Sequence, residues 1–136
     1  MIETFTLETT APEQSIDITE RVKAIVASAG IETGSCQVMA LHSTVAIVVN
    51  ETADPDIGAD VIAALGRLVP TRNDWLHDER DDNAHSHIKA SILGSSELIP
   101  VDAGALLLGT WQALWLYEFD GPRTRTVAVH LNKDPT

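Results

Sequence analysis

Cysteine occurs once in these 136 residues, at Cys36. That single thiol excludes an internal disulfide and every multi-cysteine metal motif. It sits in the apolar stretch SCQVMAL, where a free cysteine packs as a small, inert hydrophobe. Basic residues are also scarce: nine lysines and arginines face 20 acids, for a net charge of -11. Such a chain repels the phosphate backbone of nucleic acid and an anionic membrane surface, so neither is an expected partner. Long apolar runs are missing as well. AIVVN and GALLLG fall far short of the ~20 residues that span a bilayer. The start MIETFTLETT has neither the basic head nor the apolar block of a signal peptide, and a soluble, cytoplasmic protein is the expectation. No HExxH-type motif, Gly-rich phosphate loop, repeat or low-complexity segment is present.

What is there reads as a single domain over residues 1–136, by length alone. IETFTLET alternates like a half-buried strand. From Thr19, Ile18, Val22, Ile25 and Val26 recur at helical spacing until Gly30. CQVMALHSTVAIVVN is strand, polar interruption at His42, Ser43 and Thr44, then strand. Asp54 or Asp56 is placed to cap a helix that carries Ile57, Val61, Ala64, Leu65 and Leu68 on one face and stops at Pro70. A second helix from Asp82 or Asn83 carries Ala84, Ile88, Ser91 and Ile92 and ends at Gly94. SSELIPV, ALLLGTWQALWLYEF and TRTVAVHLN follow as strands, divided at Asp102-Ala103-Gly104 and Asp120-Gly121-Pro122. Runs of strands with helices inserted between them predict an α+β fold, a mixed and mostly antiparallel sheet with helices on one face.

Histidine is the side chain most easily poised near neutral pH and a common ligand of transition metals. His85 and His87 lie two apart: on the expected helix their rings turn about 200° from each other and could not bind one ion together, whereas on a strand they would share a face. His42 interrupts an apolar strand, a poor place for a polar ring unless its nitrogens are satisfied. His77 stands in an acidic loop, and His130 in the alternation of the closing strand. In YEFDGPRTR, Glu118 and Asp120 share a strand face if the strand continues, and the turn at Gly121-Pro122 presents Arg123 and Arg125. Carboxylates bind cations or move protons, and arginines grip phosphate or carboxylate. Composition and spacing lead as far as an acidic α+β domain with a histidine and carboxylate site.

Four blocks carry more: HSTVAIVVNE, DPDIGADVIAALGRLVP, NAHSHIKASILGSS and GALLLGTWQALWLYEFDGPRTRTVAV. In this order and spacing they resemble the YjbQ-like family of small bacterial and archaeal proteins. The resemblance implies an α+β fold assembled as a homotrimer, and an activity as a secondary thiamine-phosphate synthase. That reaction condenses an aminopyrimidine methyl diphosphate with a thiazole phosphate. On the family pattern His42, Asn50, His77, His87, Thr110, Trp111, Gln112, Glu118, Asp120 and Arg123 fall on motif positions. Ser43, Trp75 and Ser86 are mild departures, and His85 and His130 fall outside.

The expectations follow residue by residue. His42, His77, His87 and Glu118 are the candidate catalytic residues. Asn50, Thr110, Gln112, Asp120 and Arg123 are the candidate substrate-binding residues. The three motif histidines come from a strand end, a loop and a helix, and are expected to form a three-nitrogen face around a divalent metal ion, zinc or magnesium. The expected partner is a phosphorylated small molecule, bound near a subunit boundary. Two alternatives stand beside the synthase: a metal-dependent hydrolase or lyase with Glu118 as general base, and a non-catalytic trimeric ligand-binding protein.

Overall fold

A computed structural model describes residues 1–52 and 54–136. The described residues form eight strands, three α-helices and one 3-10 turn: β1 (Ile2–Glu8), β2 (Gln14–Asp17), α1 (Thr19–Ala29), β3 (Gly34–Ala40), β4 (Val45–Glu51), α2 (Asp56–Leu68), the 3-10 turn Leu76–Glu79, α3 (Ala84–Leu93), β5 (Ser96–Asp102), β6 (Ala105–Leu106), β7 (Gln112–Glu118) and β8 (Thr124–Lys133). The α+β class expected from the strand runs is the class found. Every strand pairing is antiparallel. The strands divide between two sheets, ordered β1-β8-β3-β5-β6 and β2-β7-β4.

Alternation decides which side chains enter the core. In β3, Cys36, Val38 and Ala40 point inward and Gln37 and Met39 outward; β8 answers with Val127, Val129 and Leu131 inward. Burial pushes the Cys36 thiol up to about 11, in keeping with an inert packed sulfur. The smaller sheet is covered on both faces. Val45, Ile47, Leu114 and Leu116 join Val22 and Val26 of α1 and the larger sheet in the main core. Ala46, Tyr117 and Phe119 pack against Leu65 of α2 and Ala90 of α3 in a second one. Burial on both faces explains why VAIVV and ALWLY read as continuous apolar runs.

The helix ends lie where the sequence places them, except that the N-cap of α2 is Pro55 rather than Asp54 or Asp56. Asp17 accepts from the Thr19 amide at the start of α1, and Gly30 closes it with φ 65°. The Asp54 carboxylate accepts from the Asp56 amide at 2.9 Å, and α2 stops before Pro70. The helix faces differ from expectation. Gly58 is buried against β2, where a Cβ would stand 2.3 Å from Ser15 Oγ. That close approach turns Val61, Ile62 and Leu65 inward and leaves Leu68 76 % exposed. In α3 the buried positions are Ala84, Ser86, Lys89 and Ala90, while Ile92 and Ser91 are exposed. A lysine replaces the predicted apolar stripe because Glu13 receives its charge: Lys89 Nζ lies 3.1 Å from Glu13 Oε2. Strand β2 was not anticipated, being four residues of modest polarity. The run ALLLGTWQ breaks into β6 and a turn, in which the Gln112 amide donates to Gly109 O. No helix among the described residues is long and apolar enough to cross a membrane.

Candidate functional site

Leu41 and the polar interruption His42–Thr44 follow the end of β3. The Leu41 amide still donates to Thr126 O, at 3.0 Å. The Thr126 amide, which the vanished strand no longer serves, donates instead to His42 Nε2, also at 3.0 Å. His42 thus completes a backbone ladder that would otherwise leave an amide unpaired. With the Nε2 lone pair engaged, the neutral ring carries its proton on Nδ1 and offers a donor there. Burial and then the neighbouring Arg125 guanidinium hold His42 below the ordinary 6.5, against the opposing pull of Glu118, so the ring is neutral at pH 7.

Beside it the EFDGPR turn joins β7 to β8. Strand geometry stops at Glu118, so Glu118 and Asp120 do not share a face. Glu118 is fully buried. Its Oε1 accepts from Thr9 Oγ1 and Arg125 Nε, both at 2.8 Å. Its Oε2 accepts from Arg125 Nη2 at 2.5 Å and the Asp120 amide at 3.1 Å. Burial raises the pKa of this carboxyl; the bonds from Arg125, Thr9 and Asp120 outweigh that and hold it below the ordinary value. All four lone-pair positions are occupied. The expectation that Glu118 is a catalytic base is therefore corrected: it is the buried counter-ion that fixes Arg125, whose Nη2 also donates to Thr44 Oγ1 at 2.8 Å. The turn is tightly seated, since a Cβ on Gly121 would lie 2.2 Å from Ala11 O and 2.9 Å from Glu118 Cγ. No side chain fits there.

Asp120, two residues on, faces outward. Its Oδ2 accepts from Asn83 Nδ2 at 2.9 Å and lies 3.3 Å from Arg123 Nη2. Asn83 stands at the N-terminus of α3 without capping it; Asp78 caps instead, accepting from the Ala84 amide at 3.0 Å. One turn further along α3, His87 meets His77 edge-on, with ring centroids 4.8 Å apart. His85 points elsewhere, as helical spacing predicts: its Nδ1 accepts from buried Lys89 Nζ at 3.1 Å. It packs against Lys89 within its own helix. Burial and then the Lys89 charge keep it below 6.5, against Glu13, Asp120 and Asp78.

These elements enclose an open cavity of about 750 Å³, lined by His42, Thr44, Asn83, His87, Asp120 and Arg123, with Arg125 behind them. Four of the expected residues, His42, His87, Asp120 and Arg123, line it directly. Glu118 lies beneath it, and His77 reaches it only through its contact with His87. Asn50, Thr110 and Gln112 are at the opposite end of the small sheet: β4 and β7 pair Val45 with Glu118 at one end and Glu51 with Gln112 at the other. Six residue steps make that about 20 Å. Asn50 and Gln112 serve their own turns there, accepting from the Glu51 and Gly109 amides.

The three-nitrogen face expected from the motif is not formed within the chain. No group of three or more histidine, cysteine, aspartate or glutamate side chains among the described residues is arranged to hold a metal ion. His42 presents an N–H where a ligand needs a lone pair. His77 Nε2 is buried without a hydrogen-bond partner, 3.6 Å from Asp81 Oδ2. Sequence reasoning missed Asn83 and Thr44 as lining residues. The signal for Asn83 was its place immediately ahead of a helix that carries a site histidine.

Fold and site together define an α+β protein of two antiparallel sheets, with a mixed donor and acceptor cavity at one end of the smaller sheet. The family model described as UPF0047 protein YjbQ-like matches residues 3–134, and the chain belongs to that family. It is 37 % identical to the YugU protein of Bacillus subtilis over 134 residues, 96 % of this chain and 98 % of that one. It is 42 % identical to a UPF0047 protein of Archaeoglobus fulgidus over 124 residues, 91 % and 95 % of the two chains. Among solved structures, a protein of unknown function from Sulfolobus solfataricus P2, described as YbjQ-like, superimposes with a TM-score of 0.95 at 35 % identity, covering 98 % of this chain and 97 % of that one.

Proposed function

We propose that the cavity binds phosphorylated small molecules and that the protein acts as a thiamine-phosphate synthase of low turnover. One observation carries the reading: donors with fixed geometry converge on one cavity while the buried Glu118 carboxylate beneath it is fully engaged. His42 offers Nδ1–H, Arg123 a half-exposed guanidinium, and Arg125 its Nη1, the amino group not committed to Glu118 or Thr44. Asp120 and Asp81 offer acceptors for an amino group. The reaction suits such a site. The thiazole ring nitrogen supplies its lone pair to the methylene carbon, a C–N bond forms, the C–O bond breaks, and the pair leaves with diphosphate. No proton is removed from either carbon or nitrogen, so no general base is needed. Stabilising the charge on the departing diphosphate is the main task, and preorganised donors do it. A hydrolase would need a base to activate water, and Glu118 has no lone pair left for that role. Magnesium enters this scheme as the counter-ion of the diphosphate substrate.

The test is direct. Purified protein supplied with the aminopyrimidine methyl diphosphate, its magnesium and the thiazole phosphate is expected to release diphosphate and form thiamine phosphate. Binding of both substrates without product would leave a binding protein and sink the synthase.

The same reading includes a homotrimer. Trp111, 66 % exposed, and Leu107 form an apolar surface beside Thr110 and Gln112, and contact between unlike patches closes a ring of copies. That arrangement gives the distant motif residues a role in a neighbour's site. A solution mass of three chains by light scattering is expected; a monomer would refute it.

A further inference from the structure

The ridge Leu41–Ser43 has two sides. On one lies the polar cavity. On the other lies a groove of similar size, about 740 Å³, between the end of β3 and the last turn of α3. Leu41, His42 and Ser43 line both. The chemistry changes across the ridge. The groove is walled by Met39, Leu41, Val45 and Ala90, and several of its polar groups are already used. Ser91 Oγ donates to His87 O at 2.9 Å. Ser95 O and Gly94 O accept from the Ala40 and Ile47 amides, at 2.9 and 3.1 Å. No charged side chain lines it. Met39 and Leu41 nevertheless stand 40 % and 49 % exposed at its edge, apolar surface that a ligand would cover with gain. Each compartment is within the range of small-molecule pockets.

We infer that the two compartments form one bipartite site, and that its ligands carry an anionic phosphate head and an uncharged apolar body laid across the His42 ridge into the groove. This inference deepens the proposed function, resting on the phosphate reading of the cavity but not on turnover. It names the groove as the subsite for the thiazole ring of the phosphate substrate, the amino group of the pyrimidine staying with Asp120 and Asp81 in the polar cavity.

Calorimetry with inorganic phosphate, ethyl phosphate, butyl phosphate and hexyl phosphate tests it, with hexanol as the headless control. Each methylene entering the groove is expected to tighten binding about three- to four-fold, so hexyl phosphate should exceed ethyl phosphate by well over ten-fold. Hexanol should bind far more weakly than hexyl phosphate. Ser91→Phe, which fills the groove from an exposed helix position, and Met39→Glu, which charges its rim, should each flatten the chain-length series and leave inorganic phosphate unchanged. Affinity independent of chain length in the native protein overturns the inference while leaving the phosphate reading intact. So does a series that survives both substitutions. A Ser91→Phe protein with altered solution mass assigns the groove to a second copy and overturns it too. Absence of phosphate binding removes the cavity reading and the inference with it. A synthase assay without product alongside a steep chain-length series removes only the reaction.

Discussion

Glu118→Ala is expected to lower the unfolding free energy by about 3–5 kcal/mol, the cost of leaving a buried charge without its partner. Arg125 is 3 % exposed, and two of its three nitrogens bond to Glu118. Without that carboxylate, a guanidinium remains inside the protein with only Thr44 to receive it. Thr9 Oγ1 and the Asp120 amide also lose an acceptor. Replacing both partners at once, as Glu118→Leu with Arg125→Met, should cost much less, because nothing charged is then stranded. Urea denaturation at pH 7 of the single and double variants checks the difference; equal losses would place the effect in packing instead. The pair has a pH signature as well. Because the native carboxyl is held below the ordinary 4.5, the unfolded chain takes up its proton first. The stabilisation is present above 4.5 and is lost as pH falls through the lower native value. Glu118→Ala should remove that part of the acid sensitivity.

If the proposed synthase reaction is the one catalysed, Arg123→Ala is expected to lower its turnover about 100-fold, the effect of removing one preorganised donor from a developing anion. Stability should barely move, since the Arg123–Asp120 pair is a surface ion pair worth at most about 1 kcal/mol. Arg123→Lys should recover part of the rate by restoring charge without the guanidinium fork. His87→Ala should cost a comparable factor, because its ring lines the cavity and is oriented by His77. His85→Ala is the contrast. It removes an acceptor from Lys89 and should affect turnover little, since the ring points toward Glu13 and Lys89 rather than into the cavity. Steady-state kinetics of the four variants separates these cases; a His85→Ala defect as large as that of His87→Ala would mean the helix does not divide the two rings as described.

Much of this protein is legible in its sequence. The alternation of β3 and β8, the helix boundaries at Asn83 and Gly94, and the separation of His85 from His87 all follow from backbone geometry and local hydrogen bonding. Those act within a few residues and leave their mark in spacing. The four motif blocks likewise carried the family. The division of the strands into two sheets was not legible, because VAIVV and ALWLY are apolar on both faces and do not say which neighbour covers which side. The roles within the site were not legible either. In sequence, Glu118 and Asp120 are two acids two residues apart, and His42, His77 and His87 are three imidazoles of equal promise. Only tertiary contact engages all four lone pairs of Glu118, ties the His42 nitrogen to the Thr126 amide, and sets Asn50, Thr110 and Gln112 at the far end of the small sheet. Local periodicity determines what an element is and which way it faces. What a polar side chain can do depends on which partners have already claimed its protons and lone pairs, and those come from distant parts of the chain.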